Sequence, residues 1–123
     1  MAEICTEAQR RKHISHGRRI TRWDTVVVGD KIWFEGESHH YTVRARSYQH
    51  LICTKPFNVR HTVLYTIVDV KNMIRGTEDL VFGMGAETDE QCKEMLARLE
   101  FGQSEISTRN RVDLKMTDIR RKI

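Results

Sequence analysis

The chain has 123 residues, 39% of them hydrophobic and 31% charged, with a net charge of +4; that is enough for one domain with its own core, and too apolar for a disordered chain. No apolar run approaches the roughly 20 residues that span a bilayer, and no apolar signal segment follows Met1. Three widely spaced cysteines, Cys5, Cys53 and Cys92, exclude a disulfide framework, so the expectation is a cytoplasmic protein with no membrane partner.

The charge is uneven. Residues 1–23 hold six basic residues (Arg10, Arg11, Lys12, Arg18, Arg19 and Arg22) against Glu3 and Glu7, whereas residues 24–123 hold fifteen of each sign. The sequence therefore divides into a basic N-terminal extension, 1–23, and a neutral single domain, 24–123. The extension, in which a short helix over Glu3–Lys12 is compatible with the pattern before Gly17, is either a loosely ordered solvated segment or an arm for phosphates or an acidic surface. Trp23 closes it and is expected to pack on the domain.

From Asp24 onward the pattern is one of strands and turns. Thr25–Val28 predicts a strand ending in a Gly29-Asp30 turn, and Lys31–Glu35 a second with Ile32 and Phe34 on one face. Tyr41, Val43 and Ala45 alternate with Thr42, Arg44 and Arg46, a half-buried strand with a cationic outer face. Leu51–Thr54 is a short fourth run, and Pro56 follows it, outside any central strand. Val63–Asp69 carries β-branched and aromatic residues on both parities, which predicts the central strand, covered on both faces.

Val70–Asp79 reads as a polar connection and Leu80–Phe82 as a short strand. Thr88 and Gln91 form a capping box for a helix over Asp89–Glu100, whose Cys92, Met95, Leu96 and Leu99 share one stripe, with Gly102 placed to terminate it. Val112, Leu114 and Met116 alternate as a last strand, and Arg120-Arg121-Lys122 forms a basic end. The expected fold class is mainly β with one helix (α+β): a small, bent antiparallel SH3-like barrel covered by the helix of the C-terminal half.

The segments Val28–Phe34, Tyr41–Ala45, Cys53–Asn58, Thr62–Asp69, Arg75–Gly83 and Glu87–Cys92, ending near Arg109–Val112, together resemble a small uncharacterised family of bacteriophage and mobile-element proteins, over about residues 24–116. The resemblance implies a mobile-element origin and an accessory role; it carries no catalytic residues with it.

Six histidines invite a metal or acid–base reading, and His50 with Cys53 has a ligand-like spacing near His39, His40 and His61. No second paired Cys/His motif completes a site, and Gly83-Met84-Gly85 lacks the pattern of a dinucleotide loop. No cofactor, metal or catalytic residue is therefore assigned. The stronger signal is cationic: Arg44 and Arg46 on one strand face, Lys55 and Arg60 beside the next loop, and Arg75, Arg109 and Arg111 from connections, with Trp33 and Tyr48 as stacking surfaces. The sequence thus points to a non-enzymatic module that binds nucleic acid or a nucleoprotein complex through these residues and the arm. The alternatives are a protein inhibitor of a host defence or regulatory enzyme and a small nuclease.

Overall fold

The computed structural model describes residues 17–56, 63–78, 85–115 and 118–122. The expected helix over Glu3–Lys12, the strand Leu80–Phe82, and Arg10, Arg11, Lys12, Arg60, His61 and Met116 lie outside the described residues.

The alternating segment forms a strand, Tyr41–Arg46 (β3), in which every odd residue is buried. Around it the described chain supplies β1 (Arg18–Ile20), β2 (Lys31–Trp33), β4 (His50–Pro56), β5 (Val63–Asp69), β6 (Ile74–Gly76), helix α1 (Asp89–Glu100), β7 (Val112–Asp113) and β8 (Asp118–Arg121). One antiparallel sheet results, in the order β1-β8-β2-β3-β4-β5-β6-β7. Strands β2 to β6 form a meander, and the last strand returns to pair between β1 and β2. The sheet curls into a half-barrel, so residues from its two ends share one core.

That inner core joins Ile20, Ile32, Tyr41, Val43, Leu51, Val68 and Ile119, with Trp23 and Leu114 packed against it. The outer core, under α1, joins Ala45, Ile52, Ile67, Cys92, Met95 and Leu99. Adjacent residues Ile67 and Val68 of β5 are both fully buried and serve opposite cores, as expected of a strand covered on both faces, although its first half is more open, with Leu64 39% exposed. Full burial of each such aliphatic side chain contributes roughly 1.5–3 kcal/mol.

A β-bulge lies between Val43 and Ala45. Val43 opposes Cys53 and belongs to the inner core; Ala45 opposes Ile52 and belongs to the outer one. The extra residue reverses the side-chain parity of β3. Arg44 and Arg46 consequently do not share a face, which corrects the sequence reading.

Four further features depart from expectation. Thr25–Val28 is not a strand: Trp23–Thr25 is a 3₁₀ turn, because Arg46 takes the carbonyl oxygens of Trp23 and Val26 and the Asp30 carboxylate accepts from the Val27 N–H, leaving that backbone no ladder to fill. Arg18–Ile20, inside the basic extension, is a strand paired with β8. Val70–Asp79 contains β6, where Gly76 admits a close approach: a Cβ there would meet Asn110 O and Ile106 Cγ2 at 2.9 Å each. Pro56 ends β4 opposite Val63 rather than standing outside a central strand.

Helix α1 spans the expected residues with the expected capping box. Gly102 follows it at φ 72, the left-handed conformation a helix terminator needs. Cys92, Met95 and Leu99 are buried while Leu96 is half-buried. No helix among the described residues is long and apolar enough to cross a membrane.

Candidate nucleic-acid interface

Most cations singled out in the domain are engaged within it. Arg44 pairs with Asp89 at 2.5 Å, at the start of α1, and reaches Thr54 Oγ1; the Arg44 guanidinium holds the Asp89 carboxyl below its usual range. Lys55 and Arg75 share Glu37, at 2.8 and 3.1 Å, and each also lies over an aromatic ring, Lys55 on Tyr41 and Arg75 on Phe34. Arg46 is committed to backbone carbonyls, and Arg111 donates to Ile106 O. Arg109 is exposed. Of the fifteen basic residues of 24–123, six form ion pairs with carboxylates among the described residues; of the cations singled out, the described residues bring together Lys55 with Arg75, and Arg75 with Arg111, the last two lining one groove of about 450 Å³.

Of the two expected stacking surfaces, Trp33 is only 4% exposed and packs its ring against His40, whereas Tyr48 is 93% exposed. Burial removes Trp33 from any ligand.

A different cationic surface lies where the arm enters the sheet. Arg19 of β1 stands opposite Arg120 of β8, and Arg120 stands opposite Lys31 of β2. Paired residues of adjacent antiparallel strands project to the same side. The next row, Ile20, Ile119 and Ile32, belongs to the inner core, so Arg19, Arg120 and Lys31 form a row on the outer face. Strands there are about 4.8 Å apart, which sets three positive charges side by side.

Asp118 offers one carboxylate to this row, 3.6 Å from Arg19 and 3.8 Å from Arg120. Arg120 Nε is buried without a hydrogen-bond partner among the described residues. Arg18, Lys31 and Lys122 have no ion pair among the described residues; Arg22 pairs with Asp24 on the surface. Like charges directly opposite one another are destabilising, so the arrangement is a local conflict of the kind that functional surfaces retain. Arg121 belongs to another system: it clamps Asp30, 1% exposed, through Nε and Nη2 at 2.9 and 3.0 Å. Of this row, sequence reasoning found Arg19 by composition but missed Lys31 and Arg120, because only the β1-β8-β2 pairing places them beside the arm; Arg18, opposite Arg121, has the parity of Ile20 and does not share the face.

The thiols and histidines follow from burial. Burial pushes the Cys53 and Cys92 thiols up, away from nucleophilic thiolate. His50, at the start of β4, is 9% exposed and bonded to Glu100, and among the described residues no three of His, Cys, Asp and Glu gather closely enough to hold a metal ion.

Comparison with known protein families, with curated proteins and with solved structures finds no match to this chain.

Proposed function

We propose that the chain is a non-enzymatic binding module that holds nucleic acid through its phosphate backbone, on the outer face of β1, β8 and β2 and the basic arm that leads into it. The observation that carries this reading is the in-register row Arg19–Arg120–Lys31 with one carboxylate beside it. Phosphate contacts of this kind fix position on the strand without reading sequence. The curl and short strands of the sheet support a small SH3-like barrel as the fold type. The resemblance over residues 24–116 supports an accessory role for a bacteriophage or other mobile element, carried out in the host cytoplasm.

Fluorescence anisotropy with labelled single- and double-stranded DNA and RNA tests the reading. Several unrelated sequences are expected to bind with similar affinity, to weaken steeply between roughly 50 and 200 mM salt, and to remain intact. Failure of every nucleic acid to bind at the lower salt contradicts it, and cleavage of the oligonucleotides would favour the nuclease instead. The protein-inhibitor alternative draws its support from a separate feature, the exposed Tyr48, Phe101 and Met73.

A further inference from the structure

On the concave side of the half-barrel, at the end where β2 runs into β3, charged side chains take over from the apolar core. Arg75 stands opposite Val68 of the inner core, and Val112 stands opposite Arg75, so both project inward. Lys55 follows Cys53 of the same core by two positions in β4 and points the same way. Phe34 and Tyr41, edge to face at 5.3 Å, lie beneath them. Glu37, on the turn between β2 and β3, accepts from Lys55 Nζ through Oε1 at 2.8 Å and from Arg75 Nη2 through Oε2 at 3.1 Å.

These three side chains are only 16–26% exposed, so two largely desolvated cations share one carboxylate. A buried cation without a counter-charge of its own is costly. Ring contacts compensate in part, with Lys55 over Tyr41 at 4.6 Å and Arg75 over Phe34 at 4.1 Å. The groove of about 450 Å³ opens beside Arg75, and Arg111 and Lys115 also line it. Arg111 is fixed by a bond from Nη2 to Ile106 O at 3.1 Å. Lys115 is exposed and has no ion pair among the described residues. A guanidinium holds five donors in a fork that matches a carboxylate, so the bonds that place Arg75 and Arg111 do not exhaust them.

We propose that this groove binds a small organic monocarboxylate, its carboxylate held by Arg75, Arg111 and Lys115 and its apolar body laid against Phe34 and Val112. Two observations set that class. The other charged groups of the lining are Glu35 and Asp113, both exposed; with Lys55 and Glu37 included, four cations face three carboxylates, an excess of one that a carboxylate cancels and a phosphate dianion overshoots. Glu37 is the second: a carboxylate from within the chain already sits on Arg75, and it competes there with the ligand. Val112 faces inward yet is 50% exposed, an apolar surface left open beside the cations. The volume suits a small molecule, whose sites run from roughly 300 to 1,000 Å³. The groove lies on the face opposite the row Arg19–Arg120–Lys31 and does not rest on the nucleic-acid reading.

The test is a ¹H–¹⁵N NMR titration of the full chain with 3-phenylpropionate, its uncharged analogue 3-phenylpropanamide, inorganic phosphate, and an acetylated tripeptide Ala-Ala-Phe with a free C-terminus. The acid is expected to shift the amide resonances of Arg75, Val112 and Lys115. The uncharged analogue should bind roughly tenfold more weakly or worse, since a charge-assisted pair is replaced by a neutral one, and phosphate should also be weaker. Lys115→Gln, at an exposed position, should keep the dispersed spectrum and weaken binding of the acid several-fold. Glu37→Gln should tighten it several-fold by releasing Arg75, whereas a purely structural Glu37 would loosen it. No shifts from the acid, equal shifts from the uncharged analogue, shifts confined to Lys31 and Arg120, or tighter binding of phosphate would overturn the carboxylate site. A folded Glu37→Gln protein that binds the acid no more tightly than the native chain would overturn the competition, and a tripeptide tighter than the free acid would overturn the small-molecule source.

Discussion

Asp30 and Asp69 show how single carboxylates hold this fold at points where hydrogen-bonded ladders end. Asp30 accepts from the Val27 N–H and from two nitrogens of Arg121, which ties the turn before β2 to the end of β8. Asp30→Ala strands Arg121 and an amide together, and should cost about 3 kcal/mol in chemical denaturation. At Asp69 burial alone would raise the pKa, but the Asn72 N–H, the Asn72 side chain and Gln49 outweigh it and hold the carboxyl below its usual value. Glu100 is lowered as well, by its hydrogen bonds from Ser47 and His50. A carboxylate lowered in the folded state contributes stability above its unfolded pKa and loses it as the pH falls through the folded one. The protein should therefore lose stability below about pH 4, and Glu100→Gln should flatten that acid limb in pH-dependent urea melts. Identical acid limbs for the two proteins would contradict the assignment.

Among the elements, α1 was fully legible, since cap, stripe and terminator are local signals that agree with one another. Its face can now be assigned more closely: Met95→Ala should cost about 2–5 kcal/mol, Lys93→Ala less than about 0.5 kcal/mol, and Leu96→Ala, at a half-buried position, an intermediate amount. Thermal melts that ranked Lys93 with Met95 would refute the packing described. β3 and β5 were legible for the same reason, alternation in one and apolar residues on both parities in the other. β1, β6 and β8 were not. Each has three or four residues with one core isoleucine or a lone glycine among charges, too short for periodicity to register, and each exists because a partner strand supplies its hydrogen bonds. The bulge in β3 was equally invisible, since a parity change depends on register with β4 rather than on composition. Gly76→Ala probes β6 directly: with Asn110 O and Ile106 Cγ2 only 2.9 Å from a new Cβ, it should destabilise the protein by about 1–3 kcal/mol.

At the scale of the whole molecule, charge is sorted by the fold rather than by the sequence. The acidic and basic residues of 24–123 cancel in number, yet pairing consumes Arg44, Lys55, Arg75, Arg98 and Arg121 and leaves the row Arg19–Arg120–Lys31 on one face beside the arm. Part of the candidate face, Arg19, was legible because a block of like charge is visible in sequence; the rest needed the return of β8 across the sheet. The direct measurement is the salt dependence of DNA binding for the native chain and for Arg19→Gln/Lys31→Gln/Arg120→Gln, with thermal melting to show that both are folded. Each phosphate neutralised by a side chain contributes about 0.9 to the slope of log K against log salt, so the triple variant should bind more weakly with a slope smaller by about two to three. A folded triple variant with the native affinity and the native slope would contradict the assignment of this face to nucleic acid.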